Sequence, residues 1–317
     1  MEHMDPDQVD REVLIDVRGL TKTYGPIRAL DSISFQAKRG DILGFLGPNG
    51  AGKSTAMKII TCFLEADSGD VEVGGKNIRE HSIEVRRMIG YCPESAPAYG
   101  EMTVDGFLRF ICDARDIEDA TAAIDRVVEM TGLERVIHQT IETLSKGYKR
   151  RVGLAQALIH DPEVLILDEP TDGLDPNQKA LIHELISNLS KNKCIVLSTH
   201  ILDEVERICN RALVISEGKI LVDATPESLM EQAPNHNVIR VSLASANDAM
   251  IDEIGKQSWC RRVERESEQT FEVVPVDGRN HLSDLLSILK DAELLSIHLQ
   301  EGRLDELFRA ITKGVAA

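Results

Sequence analysis

The residues with the clearest potential for chemistry form one loop, GPNGAGKST, at residues 47–55. The loop fits the pattern G-x-x-x-x-G-K-[ST] at every fixed position. Glycines in such a loop let backbone N–H groups turn inward around a phosphate, and the following helix adds the partial positive charge of its N-terminus. We expect Lys53 to bridge the β- and γ-phosphates of a nucleotide, and the Ser54 hydroxyl to ligate Mg²⁺. The predicted phosphate-binding residues are Gly47, Pro48, Asn49, Gly50, Ala51, Gly52, Lys53, Ser54 and Thr55.

A second group of chemical residues follows two later apolar runs. The run at residues 164–167 ends in Asp168 and Glu169, and the run at residues 195–197 is followed by Ser-Thr-His200. Successive strand residues point to opposite sides, so the two acids can have different roles. We expect Asp168 to hold Mg²⁺ directly or through water, Glu169 to orient and polarise the attacking water, and His200 to contact the γ-phosphate.

These residues require a parallel sheet to bring them together. The run ILGFL before the glycine-rich loop and the two later runs are nearly continuous apolar segments, as expected of buried parallel strands. In open parallel sheets, ligands bind at the carboxyl ends of the strands. The loop, the acid pair and the histidine each follow such an end, so the sequence predicts one shared site.

A phosphate-binding loop alone leaves several nucleotide-binding classes open. A guanine-specific site requires an N-K-x-D motif after a later strand. The nearest candidate, NKCI at residues 192–195, lacks the aspartate and precedes a strand. A GTPase is therefore weakly supported, while a kinase or metabolic enzyme with a P-loop remains an alternative at this point.

Composition narrows the class further. The chain has 317 residues, 42% of them hydrophobic, which is enough for more than one domain, and its net charge of −17 argues against a general nucleic-acid binder. No apolar segment approaches the roughly 18 residues of a membrane span. The first twelve residues are polar and acidic, and we expect a flexible tail rather than a secretory signal. Six scattered cysteines without a C-x-x-C pair suggest a reducing cytosol.

The ordered motifs resemble the nucleotide-binding subunit of ATP-binding cassette (ABC) transporters over about residues 13–226. KTYG places Tyr24 where this family stacks an aromatic ring on adenine, and YCPE lies at the position of the family's Q-loop. LSKGY lies at the signature motif, DGLD at the D-loop and STH at the switch region. The resemblance implies an α/β P-loop NTPase fold with a parallel core sheet. It also implies an antiparallel β subdomain and an inserted helical subdomain at about residues 96–160.

The resemblance also implies partners and further site residues. It implies an ATPase subunit on the cytoplasmic face of the cell membrane that powers an ABC-2-type transporter, with export favoured. A permease subunit would span the membrane, and a second cassette would complete a head-to-tail dimer, which we expect to be a homodimer. Each ATP would lie between the phosphate loop of one copy and the signature helix of the other. The additional nucleotide contacts implied are Ser145, Lys146, Gly147 and Asp175.

Two positions depart from the common family pattern. Glu94 stands where most members have glutamine, and the resemblance places this side chain at Mg²⁺ and the attacking water. An ionised glutamate only accepts hydrogen bonds, and it adds negative charge beside a triphosphate. Lys146 replaces a signature glycine and puts a positive charge at a helix N-terminus, where it opposes the helix dipole. We interpret both as features of a branch similar to the gliding-motility transporter ATPase, and a γ-phosphate as the partner of Lys146.

Capping residues mark two helix starts in the middle of the chain. Thr103 precedes an amphipathic run, and Ser145 precedes the run that carries the signature motif. The apolar face of the first helix, which carries Val104, Phe107, Leu108 and Ile111, is interpreted mainly as core packing. A minor alternative, implied by the resemblance, is contact with a coupling helix of the permease.

The last segment of the chain carries no recognisable motif. Strand-like and helix-like segments alternate from about residue 232 to residue 317, ending in a predicted helix at residues 304–314. We therefore predict a nucleotide-binding domain at residues 13–231 and a small α+β domain at residues 232–317. A soluble ABC protein acting on ribosomes or DNA is the alternative function. The single cassette, the absence of long heptad repeats and the acidic charge disfavour it.

Overall fold

The computed structural model describes residues 11–95, 98–233, 235–245, 248–276, 278–290, 292–300, 302, 304–305 and 307–308. Contacts divide the chain into two compact units, Met1–Ala224 and Thr225–Ala317. The domain boundary between residues 231 and 232 stays a prediction. Most of the predicted tail, residue 96 and most of the predicted last helix lie outside the described residues. Within the described ranges, no helix combines the length and apolar character needed to cross a membrane.

The first unit combines two sheets with helices. Its strands are β1 (Val13–Tyr24), β2 (Ile27–Lys38), β3 (Ile42–Leu46), β4 (Ser68–Val73), β5 (Lys76–Asn77), β6 (Ile89–Cys92), β7 (Val164–Asp168), β8 (Cys194–Thr199), β9 (Arg211–Ser216) and β10 (Lys219–Ala224). Its helices are α1 (Lys53–Ile60), α2 (Ser82–Met88), α3 (Val104–Ala114), α4 (Ala120–Thr131), α5 (Lys146–Leu158), α6 (Pro176–Ser190) and α7 (Leu202–Ile208).

The larger sheet positions the chemical residues. Its strand order is β10-β9-β3-β8-β7-β6, and β3, β6, β7, β8 and β9 run parallel while β10 is antiparallel to β9. Every residue of β3, β7 and β8 is buried, as expected for apolar strands covered on both faces. Because these three strands are neighbours, the segments that follow their carboxyl ends meet at one edge.

The smaller sheet is antiparallel, with the order β2-β1-β4-β5. Buried residues of β1 and β2 join those of the parallel sheet in one hydrophobic core. Phe35 of β2 and Phe45 of β3 meet edge to face, with ring centroids 5.1 Å apart. The two sheets therefore share one core. The phosphate loop directly follows β3, a strand that is buried in this core.

Helices α3, α4 and α5 follow β6 in the chain and are fixed by local caps. The Thr103 hydroxyl accepts a hydrogen bond from the Gly106 N–H at the start of α3. The Ser145 hydroxyl accepts one from the Tyr148 N–H at the start of α5. Both predicted caps are confirmed, because each side chain satisfies an N–H that the helix leaves without a partner.

The second unit is a small α+β domain. In chain order it contains α8 (Pro226–Glu231), β11 (Ile239–Leu243), α9 (Asp248–Gly255), β12 (Cys260–Arg265), β13 (Thr270–Pro275), α10 (Leu282–Ile288) and β14 (Leu294–Leu299). The sheet order is β12-β13-β11-β14, and all three pairings are antiparallel. The order β-α-β-β-α-β with this pairing is the ferredoxin-like arrangement. Its core contains Phe271, and the partly buried Trp259 packs against this core.

All six cysteines are free thiols, and most of them are buried. Cys92, Cys112, Cys194, Cys209 and Cys260 are buried, while Cys62 is half-buried. Burial raises the pKa of every one of these thiols.

Candidate functional site

The loop between β3 and α1 is shaped by glycines that no other residue could replace without displacement. Gly52 precedes α1 with φ of 109°, and a Cβ there would lie 2.4 Å from the Ala29 carbonyl oxygen. A Cβ on Gly47 would lie 2.3 Å from the Ile215 carbonyl oxygen. Real Cβ atoms do not approach backbone that closely, so the loop can keep this conformation only with glycine at both positions.

Lys53 is the first residue of α1 and is buried with its charge incompletely balanced. Its Nζ donates to the Gly47 carbonyl at 2.6 Å and the Pro48 carbonyl at 3.3 Å, and it lies 3.8 Å from Glu169 Oε1. Burial lowers the pKa of Lys53, and the neighbouring carboxylates of Glu169, Asp168 and Glu94 oppose that effect. A buried ammonium whose hydrogen bonds go to neutral carbonyls, with the Glu169 carboxylate 3.8 Å away, is suited to receive an anionic ligand.

Oxygen atoms from three elements converge beside this lysine. The Ser54 hydroxyl donates to Asp168 Oδ1 at 3.1 Å, and the Ser198 hydroxyl donates to the same oxygen at 2.5 Å. A hydroxyl and a carboxylate fit a hard cation such as Mg²⁺, which keeps waters and takes its remaining ligands from substrate phosphates. Among the described residues, no group of three or more His, Cys, Asp or Glu side chains could hold a metal ion. The Ser54 hydroxyl and the Asp168 carboxylate fit a cation that takes its other ligands from water and phosphate oxygens.

Glu169 follows β7 with a strained backbone. Its φ is 48°, in the left-handed region that residues other than glycine rarely adopt. Its N–H donates to the Ser198 hydroxyl at 3.0 Å, and its carbonyl accepts from Arg150 Nη2 at 2.8 Å. Strain of this kind persists only where the surroundings hold it, and it is typical of active sites.

The side chain of Glu169 is paired with the histidine that follows β8. His200 Nδ1 lies 3.0 Å from Glu169 Oε2. Burial raises the pKa of Glu169, and His200 and Lys53 oppose that effect. A carboxylate whose pKa is raised toward neutrality, and which is oriented by a histidine, is chemically suited to take a proton from water.

These groups open into one cavity of about 400 Å³. Its lining residues are Ala29, Pro48, Asn49, Gly50, Ala51, Gly52, Lys53, Ser54, Thr55, Glu94, Glu169, Asp172 and His200. The structure thus brings together most of the predicted phosphate loop with Glu94, Glu169 and His200. Asp168 lies behind the cavity, at hydrogen-bond distance from Ser54.

Tyr24, the predicted adenine contact, does not line the cavity. It ends β1, its side chain is exposed, and Lys22 Nζ lies 5.8 Å from the centre of its ring. The role of Tyr24 stays a prediction.

The predicted signature residues also lie outside the cavity lining. Lys146 Nζ donates to Asp172 Oδ2 at 3.1 Å, so within this chain its partner is a carboxylate rather than a phosphate. This contact lowers the pKa of Asp172. Gly147 packs against α6, where a Cβ on it would lie 1.8 Å from Gln178 Oε1. Asp175 caps α6 through hydrogen bonds from the backbone N–H groups of residues 177 and 178.

Arg150 is a supporting residue that the sequence did not reveal. It is 4% exposed, and its guanidinium donates to the carbonyls of Pro93, Glu94 and Glu169 at 3.2, 2.6 and 2.8 Å. It therefore ties α5 to the segment after β6 and to the strained residue after β7. In the sequence it is the middle residue of the basic run KRR, and only the helical period could have separated it from its half-buried neighbours Lys149 and Arg151.

Comparison with known proteins agrees with this geometry. The family described as ABC transporter matches residues 30–172. The linearmycin resistance ATP-binding protein LnrL of Bacillus subtilis (strain 168) is 31% identical over 308 residues, 94% of this chain and 98% of that protein. The Nod factor export ATP-binding protein I of Rhizobium meliloti (strain 1021) is 36% identical over 282 residues, 84% of this chain and 82% of that protein.

A solved structure matches the fold as well. A bacterial ABC transporter cassette, solved as a dimer, aligns with a TM-score of 0.63 at 25% identity. The alignment covers 67% of this chain and 99% of that chain. The predicted α/β cassette fold is thereby confirmed.

Proposed function

This chain belongs to the family of ABC transporter ATP-binding subunits, and on that premise we propose that its cavity hydrolyses ATP with Glu169 as the general base. The reaction converts ATP and water to ADP and phosphate. The observation that carries the assignment is the contact of 3.0 Å between His200 Nδ1 and Glu169 Oε2 beside the phosphate loop. No other carboxylate among the cavity-lining residues is held by a histidine in the described contacts.

The phosphate loop and Lys53 bind the triphosphate. Backbone N–H groups of the loop face the phosphates, and the Lys53 ammonium exchanges its bonds to the Gly47 and Pro48 carbonyls for bonds to phosphate oxygens. Ser54 and Asp168 would hold Mg²⁺, which supplies positive charge against the phosphate oxygens. Glu94 also lines the cavity and is the third residue that we propose on the metal side.

Glu169 and His200 act on the attacking water. Glu169 accepts a proton from the water as the oxygen attacks the γ-phosphorus. In the tautomer that carries the proton on Nδ1, His200 donates to Glu169 Oε2 and holds the carboxylate in place. His200 also lines the cavity, where we propose that its ring faces the γ-phosphate. Since burial favours the protonated form of Glu169, the site also makes this carboxylate a stronger base than an exposed glutamate.

A second copy of the chain is needed to bring the signature residues to ATP. Ser145, Lys146 and Gly147 do not line the cavity of their own chain, and the aligned bacterial cassette was solved as a dimer. We propose a head-to-tail homodimer in which the start of α5 from one copy faces the phosphate loop of the other. ATP binding closes this interface, and hydrolysis allows it to open.

The chain is an ATPase subunit of a membrane transporter. Its relatives include a linearmycin resistance protein and a Nod factor export protein, and we propose export as the direction here too. The proposed partner is an ABC-2-type permease, with this chain at the cytoplasmic face of the cell membrane. The soluble, non-transport alternative is not favoured by these relatives, and the gliding-motility branch stays a prediction.

Glu169→Gln in the full chain tests the proposal, with Glu163→Gln as the matched control. Glu163 directly precedes β7, as Glu169 directly follows it, and its side chain is 46% exposed. Glu169→Gln should lower kcat at least about 100-fold, because the general base is lost, and should retain ATP binding. Gel filtration in ATP should then show a trapped dimer.

Each part of the proposal has its own contrary result. A wild-type hydrolysis rate in Glu169→Gln would remove Glu169 as the base. A hydrolysis-deficient variant that binds ATP but elutes as a monomer would contradict the dimer. Glu163→Gln should behave as the wild type in both measurements.

A further inference from the structure

A buried carboxylate behind the site joins the two segments that carry its acid–base pair. Glu204 lies in the first turn of α7 and is 3% exposed. Its Oε1 accepts a hydrogen bond from the Thr171 hydroxyl, and its Oε2 accepts one from the Thr199 hydroxyl at 3.1 Å. Thr171 follows Glu169 by two residues, and Thr199 directly precedes His200. One carboxylate therefore bridges the segment after β7 and the end of β8.

The same carboxylate is neutralised from a third element. Lys179 of α6 places its Nζ 3.0 Å from Glu204 Oε1, and Thr171 and Thr199 are both almost fully buried. Burying a charge requires partners of this kind, yet a well-packed apolar residue commonly gives equal or greater stability. Stability alone therefore gives little reason for a carboxylate at this position.

Geometry gives a stronger reason. Glu169 holds a left-handed φ of 48°, and His200 must stay 3.0 Å from its carboxylate. The Ser198 hydroxyl and Arg150 hold the backbone of Glu169 itself. The two Thr–Glu204 hydrogen bonds add a fixed distance between the chain just beyond Glu169 and the chain just before His200.

We propose that Glu204 is a positioning residue for ATP hydrolysis, which sets the separation of Glu169 and His200 through Thr171 and Thr199. This inference rests on the proposed roles of Glu169 and His200. Glu204 does not line the cavity, so it does not contact ATP. Its loss should therefore affect the rate of the chemical step and leave nucleotide affinity unchanged.

The experiment compares steady-state hydrolysis by the full chain and by Glu204→Gln, Thr171→Val, Thr199→Val and the double threonine variant. Misplacement of catalytic groups by a fraction of an ångström to 1 Å costs up to about 100-fold, so kcat of Glu204→Gln should fall about 10- to 100-fold. The KM for ATP should change less than about twofold, as expected when only transition-state interactions are lost. Because both threonines act through one carboxylate, the double variant should lose less than the product of the single losses.

Two controls separate positioning from general stability. Asp41→Asn removes another buried carboxylate, which is 2% exposed and ion-paired with Arg11 and Arg211. Asp41 directly precedes β3, so it lies at the end of the sheet opposite to the proposed active site. The thermal stability of this variant should fall while kcat stays at the wild-type value. Thr171→Ser and Thr199→Ser keep the hydroxyl donors and should retain most of the wild-type kcat, which also keeps the test open if Glu204→Gln does not fold.

The outcomes are distinct. Wild-type kcat in a folded Glu204→Gln, a raised KM with unchanged kcat, or multiplicative threonine effects would each overturn the positioning role. Loss of kcat in Asp41→Asn to the same extent would also overturn it, because general destabilisation would then be sufficient. Absence of Glu169-dependent hydrolysis in the wild type would instead contradict the proposed function, independently of Glu204.

Discussion

Helices α1 and α5 both begin with residues predicted to bind phosphate, but they begin in different ways. Before α1 stands Gly52, which has no side chain with which to cap the helix, and its φ is 109°. Before α5 stands Ser145, whose hydroxyl accepts from the Tyr148 N–H. The first helix therefore leaves its N–H groups open to a ligand, and the second already satisfies one of them.

The lysines at the two helix starts also differ in how readily each can bind an anion. Lys53 is buried and bonded to carbonyl oxygens, so an anion improves its environment. Lys146 is 62% exposed and paired with Asp172 of its own chain. An anion at the start of α5 must therefore compete with Asp172 for Lys146. An anion at the start of α1 replaces the weaker bonds from Lys53 to neutral carbonyl oxygens. In the proposed dimer, the start of α1 is therefore ready to bind an anion, whereas the start of α5 must first give up a contact within its own chain.

The largest expected effect comes from removing the charge at α1. Lys53→Met should weaken ATP binding about 100-fold, since charge-assisted bonds to phosphate are worth about 1.5–3 kcal/mol each. Because burial disfavours the Lys53 charge, the same variant should raise the Tm of the nucleotide-free protein. Lys58→Met, at an exposed position on the same helix, is the control for both titration and melting. Equal affinities in the two variants would contradict the comparison.

The next largest effect is expected on lowering the pH, because acid should act differently on the groups at the starts of α1 and α5. The pKa of Glu169, beside Lys53, is raised by burial, while the pKa of Asp172 is lowered by Lys146. In the proposed mechanism hydrolysis needs ionised Glu169, so below its raised pKa the rate should fall about tenfold per pH unit, starting above the ordinary glutamate value of about 4.3. The Asp172 contribution is present above the ordinary aspartate pKa of about 3.9 and is lost only as pH falls through the lowered value. Dimer formation does not need an ionised Glu169, since Glu169→Gln is expected to dimerise. ATP-dependent dimer formation should therefore persist at a pH where hydrolysis has declined, as gel filtration and rate measurements at matched pH would show.

A linked prediction concerns stability at neutral pH. A carboxyl whose pKa is raised in the folded state destabilises that state once it ionises, so stability falls as pH rises through the raised pKa. Glu169→Gln should accordingly melt at a higher temperature than the wild type at pH 7–8, and the difference should shrink in acid. A variant that melts at the same temperature across this range would contradict the raised pKa.

A smaller effect is expected from Gly147→Ala at the start of α5. The new Cβ displaces the flexible end of Gln178, which the fold can accommodate, but it alters the surface proposed to face ATP. We expect ATP-dependent dimerisation about tenfold weaker, or ~1.4 kcal/mol, with ATP binding by the monomer unchanged. Gly255→Ala, where a Cβ meets no atom within 4 Å, is the matched control. Equal dimerisation in both variants would remove Gly147 from the interface.

The smallest effect should come from the exposed pair itself. Lys146→Met breaks the contact with Asp172, and surface ion pairs contribute at most about 1 kcal/mol to stability. If the γ-phosphate of a partner replaces Asp172, the variant should weaken ATP-dependent dimerisation by a few-fold, as measured by sedimentation, with little change in Tm. Dimerisation at the wild-type affinity would leave Lys146 as a solvated side chain.

The residues of the α1 half of the site can be predicted from the sequence because each belongs to a recognisable local sequence pattern. The loop glycines, Lys53 and Ser54 are close together in the chain, and the acid pair and His200 each follow an apolar run typical of a buried parallel strand. Thr103 and Ser145 could be predicted as helix caps because each bonds to an N–H only three residues later in the chain. Their geometry follows from residue type and spacing alone.

The remaining features depend on packing between distant segments. Lys146 meets Asp172 across 26 residues, and Glu204 meets Thr171 across 33. Nothing in the spacing of these residues favours one partner over another, since many acids and bases of this acidic chain were available. The ferredoxin-like order of the second unit was likewise hidden, because antiparallel pairing between β11 and β14 is set by long-range register.

The burial of the native thiols makes the chain a clean background for chemical labelling. Thiolates react with maleimides and thiols do not, and burial raises the pKa of all six native cysteines. A single introduced cysteine at an exposed position, such as Lys146→Cys, should therefore carry nearly all of the probe at neutral pH. The labelling rate of such a reporter, with and without ATP, would follow the approach of a second copy in real time on the otherwise native sequence.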